Sequence, residues 1–327
     1  MKRINNIFEN IISLENLRLA DEMARRGKKS TYGVCLHDKN RERNILILHQ
    51  TLKEGRFKTS PYKTFFIYEP KEREIFCLPY YPDRIVHWAI MLQLEKIWMN
   101  VFTTDTYSCI KGRGIHGAAK KIAKAMRNIN ETKYCLKLDI SKFYPTIDQD
   151  IMMSIVHKKI KCVKTLALLD EIIHSSKQGL PIGNYISQFA ANLYLTYFDH
   201  WIKEVMRVKY YFRYCDDIVI LSNNKVHLHQ LLKEIQEYIQ NNLNLKVKSN
   251  YQIFPVDSRG IDFVGYRFYH NRVMLRKGIK KNMMRKKYAL NKLGIEGKEY
   301  KRQMASYFGW PGQDFVSGRN LFKLIAA

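Results

Sequence analysis

The chain has little that would let it work as a zinc protein, a redox protein or a membrane protein. Its six cysteines, at 35, 77, 109, 135, 162 and 215, are scattered with no C-x-x-C pair. That excludes zinc-ligand spacing, and a disulfide framework is out of place in so long a chain with so few thiols. Reduced thiols in a cytoplasm are the expectation. No apolar run approaches the roughly 20 residues that cross a bilayer. The amino-terminal stretch MKRINNIFENIISLENL is basic at its start, but Asn and Glu interrupt its apolar positions. It reads as an amphipathic helix and not as an export signal, so a soluble protein with no membrane partner is expected. There is no internal repeat and no low-complexity linker. Acidic residues are also short: 30 Asp and Glu face 56 Lys and Arg, a formal net charge of +26.

Such a surplus opposes compaction unless a polyanion or an acidic partner is close. Nucleic acid is the common partner, because neutralising phosphates releases condensed counterions. Hydrophobic residues make up 46% of the 327, with 21 Tyr and 16 Phe, so a large core can form. The length suits two or three structural units.

Apolar spacing predicts an amino-terminal helix over 4–27 and a second over 42–54, closed by Gly55. Residues 64–69 and 73–79 read as a hairpin. A periodic helix follows Pro82, and the glycine-rich Lys-Gly-Arg-Gly-Ile-His-Gly (111–117) leads into a basic helix at 118–128. That glycine-rich turn lacks the Gly-Lys-Ser/Thr ending of a phosphate-cradling loop. A strand at 134–140 is followed by helices at about 148–160 and 164–175, a Gly/Pro loop at 179–184 and a long helix at 186–206. A hairpin at 208–222 turns on Tyr-Cys-Asp-Asp. A helix at 225–243, a strand pair at 251–274 and a basic helical tail complete the chain. Alternating helices and hairpins indicate an α+β fold rather than a doubly wound sheet.

Two acidic sites stand out against the basic background. Asp139 ends a β-type run, and Asp216 and Asp217 sit at a hairpin tip. Adjacent aspartates raise each other's pKa, and a divalent cation relieves that repulsion. Hard oxygen ligands suit Mg²⁺, and two such ions about 4 Å apart can stabilise both the attacking and the leaving oxygen of a phosphoryl transfer. Aspartates also favour turns and helix caps, so neither site decides the matter alone.

The combination resembles the reverse transcriptases. Tyr-Cys-Asp-Asp at 214–217 matches their Tyr-x-Asp-Asp box. Lys-Leu-Asp-Ile-Ser-Lys-Phe-Tyr-Pro-Thr-Ile at 137–147 looks like the first palm motif, an Asp followed four and five residues later by two aromatics. Ile-Asp-Phe-Val-Gly-Tyr-Arg-Phe at 261–268 resembles the primer grip, and 83–87 and 108–116 are similar to finger motifs. The matches fall in family order from about residue 60 to 270. The resemblance implies a right-hand polymerase fold: an amino-terminal helical extension over 1–60, fingers over 61–138 with helices from 149–180, a palm over 139–274, and a short basic thumb over 275–327, too small for a nuclease domain. It implies catalysis by Asp139, Asp216 and Asp217 with two Mg²⁺ ions, the Ile140 carbonyl completing one coordination shell. Tyr144 would lie under the incoming sugar and exclude a 2′-hydroxyl. Arg73, with Lys63 or Lys71, would contact the triphosphate, and Lys248, or else Lys246, would protonate pyrophosphate. The implied partners are template RNA, a primer strand of complementary DNA and deoxynucleoside triphosphates.

One segment narrows the class. Most reverse transcriptases carry Gln-Gly-x-x-x-Ser-Pro where this chain has Ile182-Gly183, three residues, then Ser187-Gln188; the Gln-Gly pair at 178–179 is a decoy. The Ile-Gly-x-x-x-Ser-Gln form resembles diversity-generating retroelements, whose enzymes copy template RNA with errors at adenine and act with a small, basic, oligomeric accessory variability determinant. Ile182, Gly183 and Gln188 would then face the nucleotide and template. Isoleucine has none of glutamine's donors and acceptors, which motivates the link to error-prone copying. An ordinary group II-like or defence-associated reverse transcriptase is the alternative, and a non-catalytic RNA-binding scaffold a third reading.

Overall fold

In a computed structural model, the described residues are 3–68, 72–310, 313, 316 and 317. They fall into two compact units, each discontinuous in sequence: Met1–Thr103, Ser141–His200 and Tyr238–Lys246 form the first, and Thr104–Ile140, Trp201–Glu237 and Val247–Ala327 the second.

The first unit is mainly helical. The expected helix over 4–27 is two helices, Phe8–Ile12 and Leu14–Ala24, because the Ser13 hydroxyl caps the second by accepting the Asn16 N–H at 3.2 Å. Leu14–Ala24 packs on Arg41–Lys53 and on Ile85–Met99, which buries eight residues, Trp98 among them. Asp21 is fully buried inside this bundle. Arg41 reaches it at 2.6 Å, Arg25 at 2.8 Å and the Tyr80 hydroxyl at 2.5 Å. Burial alone would raise the Asp21 carboxyl; the hydrogen bonds from Tyr80, Arg25 and Arg41 outweigh it and hold the group below its ordinary value.

The same unit carries an antiparallel hairpin, β1 (Lys63–Ile67) and β2 (Arg73–Cys77), with Lys63 opposite Cys77 and Ile67 opposite Arg73. The single helix expected over 186–206 is instead Tyr185–Tyr194, then Thr196–His200, then a π-type turn at Trp201–Val205. Apolar periodicity carries straight across those breaks, so spacing alone could not locate them.

The second unit is built on a four-stranded antiparallel sheet. Its strands are β3 (Tyr134–Asp139), β4 (Tyr210–Tyr214), β5 (Asp217–Ser222) and β6 (Gln252–Pro255), ordered β4-β5-β3-β6. Residues 134–138, which the sequence reading assigned to fingers, thus share a sheet with Asp139. The expected strand pair at 251–274 is β6 and a separate three-stranded sheet of β7 (Ile261–Phe263), β8 (Tyr266–Phe268) and β9 (Val273–Leu275). Ala118, Ala119 and Ile122 of the helix Ile115–Ala125 join Val219, Leu221, Phe263, Tyr266 and Phe268 in one core. Helices Lys277–Lys292 and Gly297–Phe308 close a small core of their own around Met283, Leu290 and Met304.

Candidate catalytic site

Strand register brings the acidic residues of the second unit together. Asp139 ends β3 and lies opposite Asp217, the first residue of β5. Tyr214 pairs with Asp217, so Cys215 and Asp216 alone make the β4–β5 turn. Such tight turns call for positive φ, and Cys215 supplies it at +57°. A non-glycine residue held there stores roughly 1–3 kcal/mol of strain and needs support from its surroundings. Arg213 gives that support: fully buried, it donates from its guanidinium to the Cys215 carbonyl at 2.9 Å and to the Thr106 hydroxyl at 3.4 Å. Sequence reasoning missed Arg213, although a lone arginine inside the apolar strand Tyr-Tyr-Phe-Arg-Tyr was the available signal.

The three carboxylates interact strongly. Burial, then a hydrogen bond with Asp139 and repulsion by its charge, pushes Asp216 up to about 6. Asp217 is raised too, by burial first and by Asp139, with Lys137 opposing. The ammonium of Lys248 ion-pairs with Asp139 Oδ2, and that of Lys137 lies 3.4 Å from Asp217 Oδ2 while also donating to the Asp262 carbonyl. Each of these aspartates keeps its other oxygen, Oδ1, buried without a hydrogen-bond partner.

Those two orphaned oxygens test whether the residues fit divalent cations. No three His, Cys, Asp or Glu side chains among the described residues have the spacing of a closed metal cage. Lys248 and Lys137 each lie against one of these carboxylates, so a cation would meet them in competition with the ammonium groups. The donor set is all hard oxygen. At the Ile140–Val247 bridge, the Asp139 carbonyl accepts the Lys248 N–H and the Ser141 N–H goes to the Lys246 carbonyl. Neither bond uses the Ile140 carbonyl. The donor chemistry suits a hard divalent cation, although the described residues do not form a ready three-ligand cage. Of the two lysines the sequence offered, Lys248 is the one that ion-pairs with Asp139.

The remaining sequence candidates lie in the first unit, apart from Lys71, which is outside the described residues. Tyr144 is half-buried, with an edge-on contact to Phe143 at 5.6 Å. The decoy Gly179 has a structural role here: a Cβ on it would fall 2.4 Å from the Tyr144 carbonyl oxygen, and Leu180 N–H donates to that same oxygen. Ile182 accepts the Phe76 N–H at 2.8 Å, and Gly183, at φ +125°, lies so close that a Cβ would come within 2.3 Å of the Phe76 carbonyl oxygen. The Ile-Gly motif is therefore fastened to β2. Gln188 is exposed on the helix that follows. Arg73 and Lys63 are exposed at opposite ends of the hairpin, four residue pairs or roughly 13 Å apart at strand rise, so they are not neighbours.

Residues 69–268 match the family model described as reverse transcriptase (RNA-dependent DNA polymerase), well over half the chain. The chain belongs to that family, and its enzyme class is RNA-directed DNA polymerase. It is 23% identical over 275 residues to Protein YkfC of Escherichia coli (strain K12), covering 70% of this chain and 72% of that protein. It is also 23% identical over 176 residues to the group II intron-encoded protein LtrA of Lactococcus lactis subsp. cremoris, covering 50% of this chain but only 29% of that protein. Among solved structures it is similar to telomerase from Candida albicans in complex with a fragment of telomeric RNA, at 12% identity and a TM-score of 0.49, over 84% of this chain and 57% of that one. No helix among the described residues is long and apolar enough to cross a membrane.

Proposed function

We propose that the chain copies a retroelement template RNA into complementary DNA with errors directed to adenine, as the enzyme of a diversity-generating retroelement. The observation that supports polymerase chemistry is the convergence of Asp139, Asp216 and Asp217 through one strand register, with two buried oxygens lacking partners. Asp139 and Asp216 are assigned to hold two Mg²⁺ ions, with Asp217 assisting and the Ile140 carbonyl as a further ligand. Bound there, the ions would activate the primer 3′-oxygen and stabilise the leaving pyrophosphate. Lys248, which ion-pairs with Asp139, would give its proton to that leaving group. Tyr144 would exclude a 2′-hydroxyl, and Arg73, with Lys63 or Lys71 in a lesser role, would meet the triphosphate. The right-hand division into extension, fingers, palm and thumb is part of the same proposal, as are a cytoplasmic setting and a basic accessory protein bridged to this basic chain by RNA.

The retroelement assignment rests on Ile182, Gly183 and Gln188. Primer extension on poly(rA)/oligo(dT), wild type beside Asp216→Ala, tests the chemistry: the variant should bind the duplex equally and extend it about a thousandfold more slowly or less, several kcal/mol of lost charge stabilisation. Equal extension would leave an RNA-binding scaffold as the reading. Ile182→Gln should lower misincorporation opposite template adenine severalfold; unchanged fidelity would favour an ordinary group II-like or defence-associated enzyme, to which the similarity with an intron-encoded protein also points.

A further inference from the structure

Beyond the helix Gly297–Phe308, residues Trp310, Val316 and Ser317 come back to the strands β7, β8 and β9. Val316 joins the core that those strands share with the helix Ile115–Ala125. The Ser317 N–H donates to the Val273 carbonyl at 2.8 Å, and its hydroxyl accepts the Val273 N–H at 3.0 Å. Trp310 lands on the turn between β7 and β8. Phe263 pairs with Tyr266, so Val264 and Gly265 alone make that turn. Both have positive φ, +41° and +87°, as tight hairpin turns require. Glycine adopts such angles freely, whereas a β-branched valine rarely does and needs its surroundings to hold it there.

Those surroundings are Trp310, Ile279 and Arg276. The Trp310 ring lies so close that a Cβ on Gly265 would come within 2.4 Å of it, and within 2.8 Å of the Ile279 side chain. The Arg276 N–H donates to the Gly265 carbonyl at 2.9 Å. Trp310 is itself fixed from two sides. The Tyr266 hydroxyl, with His116 Nδ1 at 2.9 Å, donates to the Trp310 carbonyl at 3.2 Å. His116 stands edge-on to the indole with ring centroids 5.5 Å apart, a contact that sets orientation as well as burying area.

The same hairpin touches the acidic corner. Asp262, in β7, accepts the Lys137 ammonium on its backbone carbonyl, and Lys137 lies 3.4 Å from Asp217 Oδ2. The Asp262 side chain in turn holds the Arg276 guanidinium at 2.5 Å. The indole thus bears on the turn, the turn on β7, and β7 on Asp217 through Lys137. We infer that Trp310 is a positioning residue for Asp217: it keeps the β7–β8 hairpin where the Asp262 carbonyl can hold Lys137 against that carboxylate. The inference rests on the polymerase reading of Asp217. A ring pressed on a glycine in a close-packed core leaves the turn no room to shift, and packed side chains with hydrogen bonds are what carry such coupling.

The test is single-turnover primer extension by the full chain on poly(rA)/oligo(dT) with Mg²⁺, beside anisotropy of the labelled duplex for binding and chemical denaturation for stability. Trp310→Ala should slow extension about tenfold while duplex affinity changes less than about twofold. Trp310→Phe, which keeps a flat ring over Gly265, should recover to within about threefold of wild type. Should Trp310→Ala not fold, Trp310→Leu carries the same expectation. Met304→Ala, in the small core of the last two helices, lowers stability away from the turn and should leave the rate within about twofold of wild type. Equal slowing in Met304→Ala and Trp310→Ala would overturn the inference in favour of a purely structural role. In a Lys137→Met background, adding Trp310→Ala should cost less than about threefold more, and the full loss there would overturn the route through Lys137. Hydrogen exchange at the Arg276 amide needs no activity: protection should fall in Trp310→Ala and hold in Met304→Ala, and equal protection in both would overturn the clamp. Wild type and Trp310→Ala extending equally well would sink the positioning role alone. A wild type that extends no primer would sink the polymerase reading, and the positioning role with it.

Discussion

The two units hold their candidate residues in place by different physics. In the second, Asp139 and Asp217 are neighbours because β3 and β5 pair in one register, and slipping one strand by one residue would turn its aspartate to the face opposite the other. In the first, Ile182 and Gly183 are fixed by backbone contact with Phe76, a loop against a strand. A sheet site is protected by the whole ladder of hydrogen bonds; a loop site depends on one glycine. The sheet also tolerates a cost at its tip, where Cys215 adopts a positive φ and two raised carboxylates share a half-buried corner.

That contrast can be broken most sharply at the loop. Gly183→Val should destabilise the protein by about 3 kcal/mol, since a Cβ meets the Phe76 carbonyl and the φ of +125° disfavours any side chain. Chemical denaturation would show it, together with loss of hydrogen-exchange protection at Phe76 and none at Val219. Wild-type stability would mean that the loop moves freely off β2. Arg213→Met tests the support under the sheet's turn. Its removal leaves the Cys215 carbonyl without its guanidinium donor and should cost about 2 kcal/mol, with catalysis impaired beyond the stability loss as the Asp216 turn relaxes. A variant with full activity would assign the strain at Cys215 to some other partner.

The smallest effect is electrostatic. Asp216 titrates near 6 in the folded chain and near its ordinary value when unfolded. A raised acid favours folding most below the unfolded pKa, and that contribution is lost as pH rises through about 6. Asp216→Asn should therefore stabilise the protein at pH 8 by about 1–2 kcal/mol, after discounting for partial solvent screening, and hardly at pH 4. Melts in EDTA at the two pH values would show it; a gain that is the same at both would mean that repulsion within the carboxylate cluster is not its source.

Much of the acidic corner was legible because its signals are local. Asp139 at the end of an apolar strand and the Tyr-Cys-Asp-Asp turn announce themselves within a dozen residues, and the α+β alternation follows from periodicity. Other features left weaker marks or none. Lys137 looked like one more cation in a chain of 56 Lys and Arg, yet it sits on Asp217. Gly179 was set aside as a decoy, yet it fits against Tyr144 where nothing larger can. Trp310 and Gly265 are far apart in the chain and share no motif, so only packing could lay one on the other.

By itself the sequence determined the class of the chain, the strands that carry the acids and a surface suited to phosphate, since those follow from composition, period and short motifs. Tertiary structure decided which lysine meets which aspartate, where the long apolar helix breaks, and which glycines must stay glycines. Charges and close contacts act through space over a few ångströms, and a linear sequence does not record which distant residues will come that near.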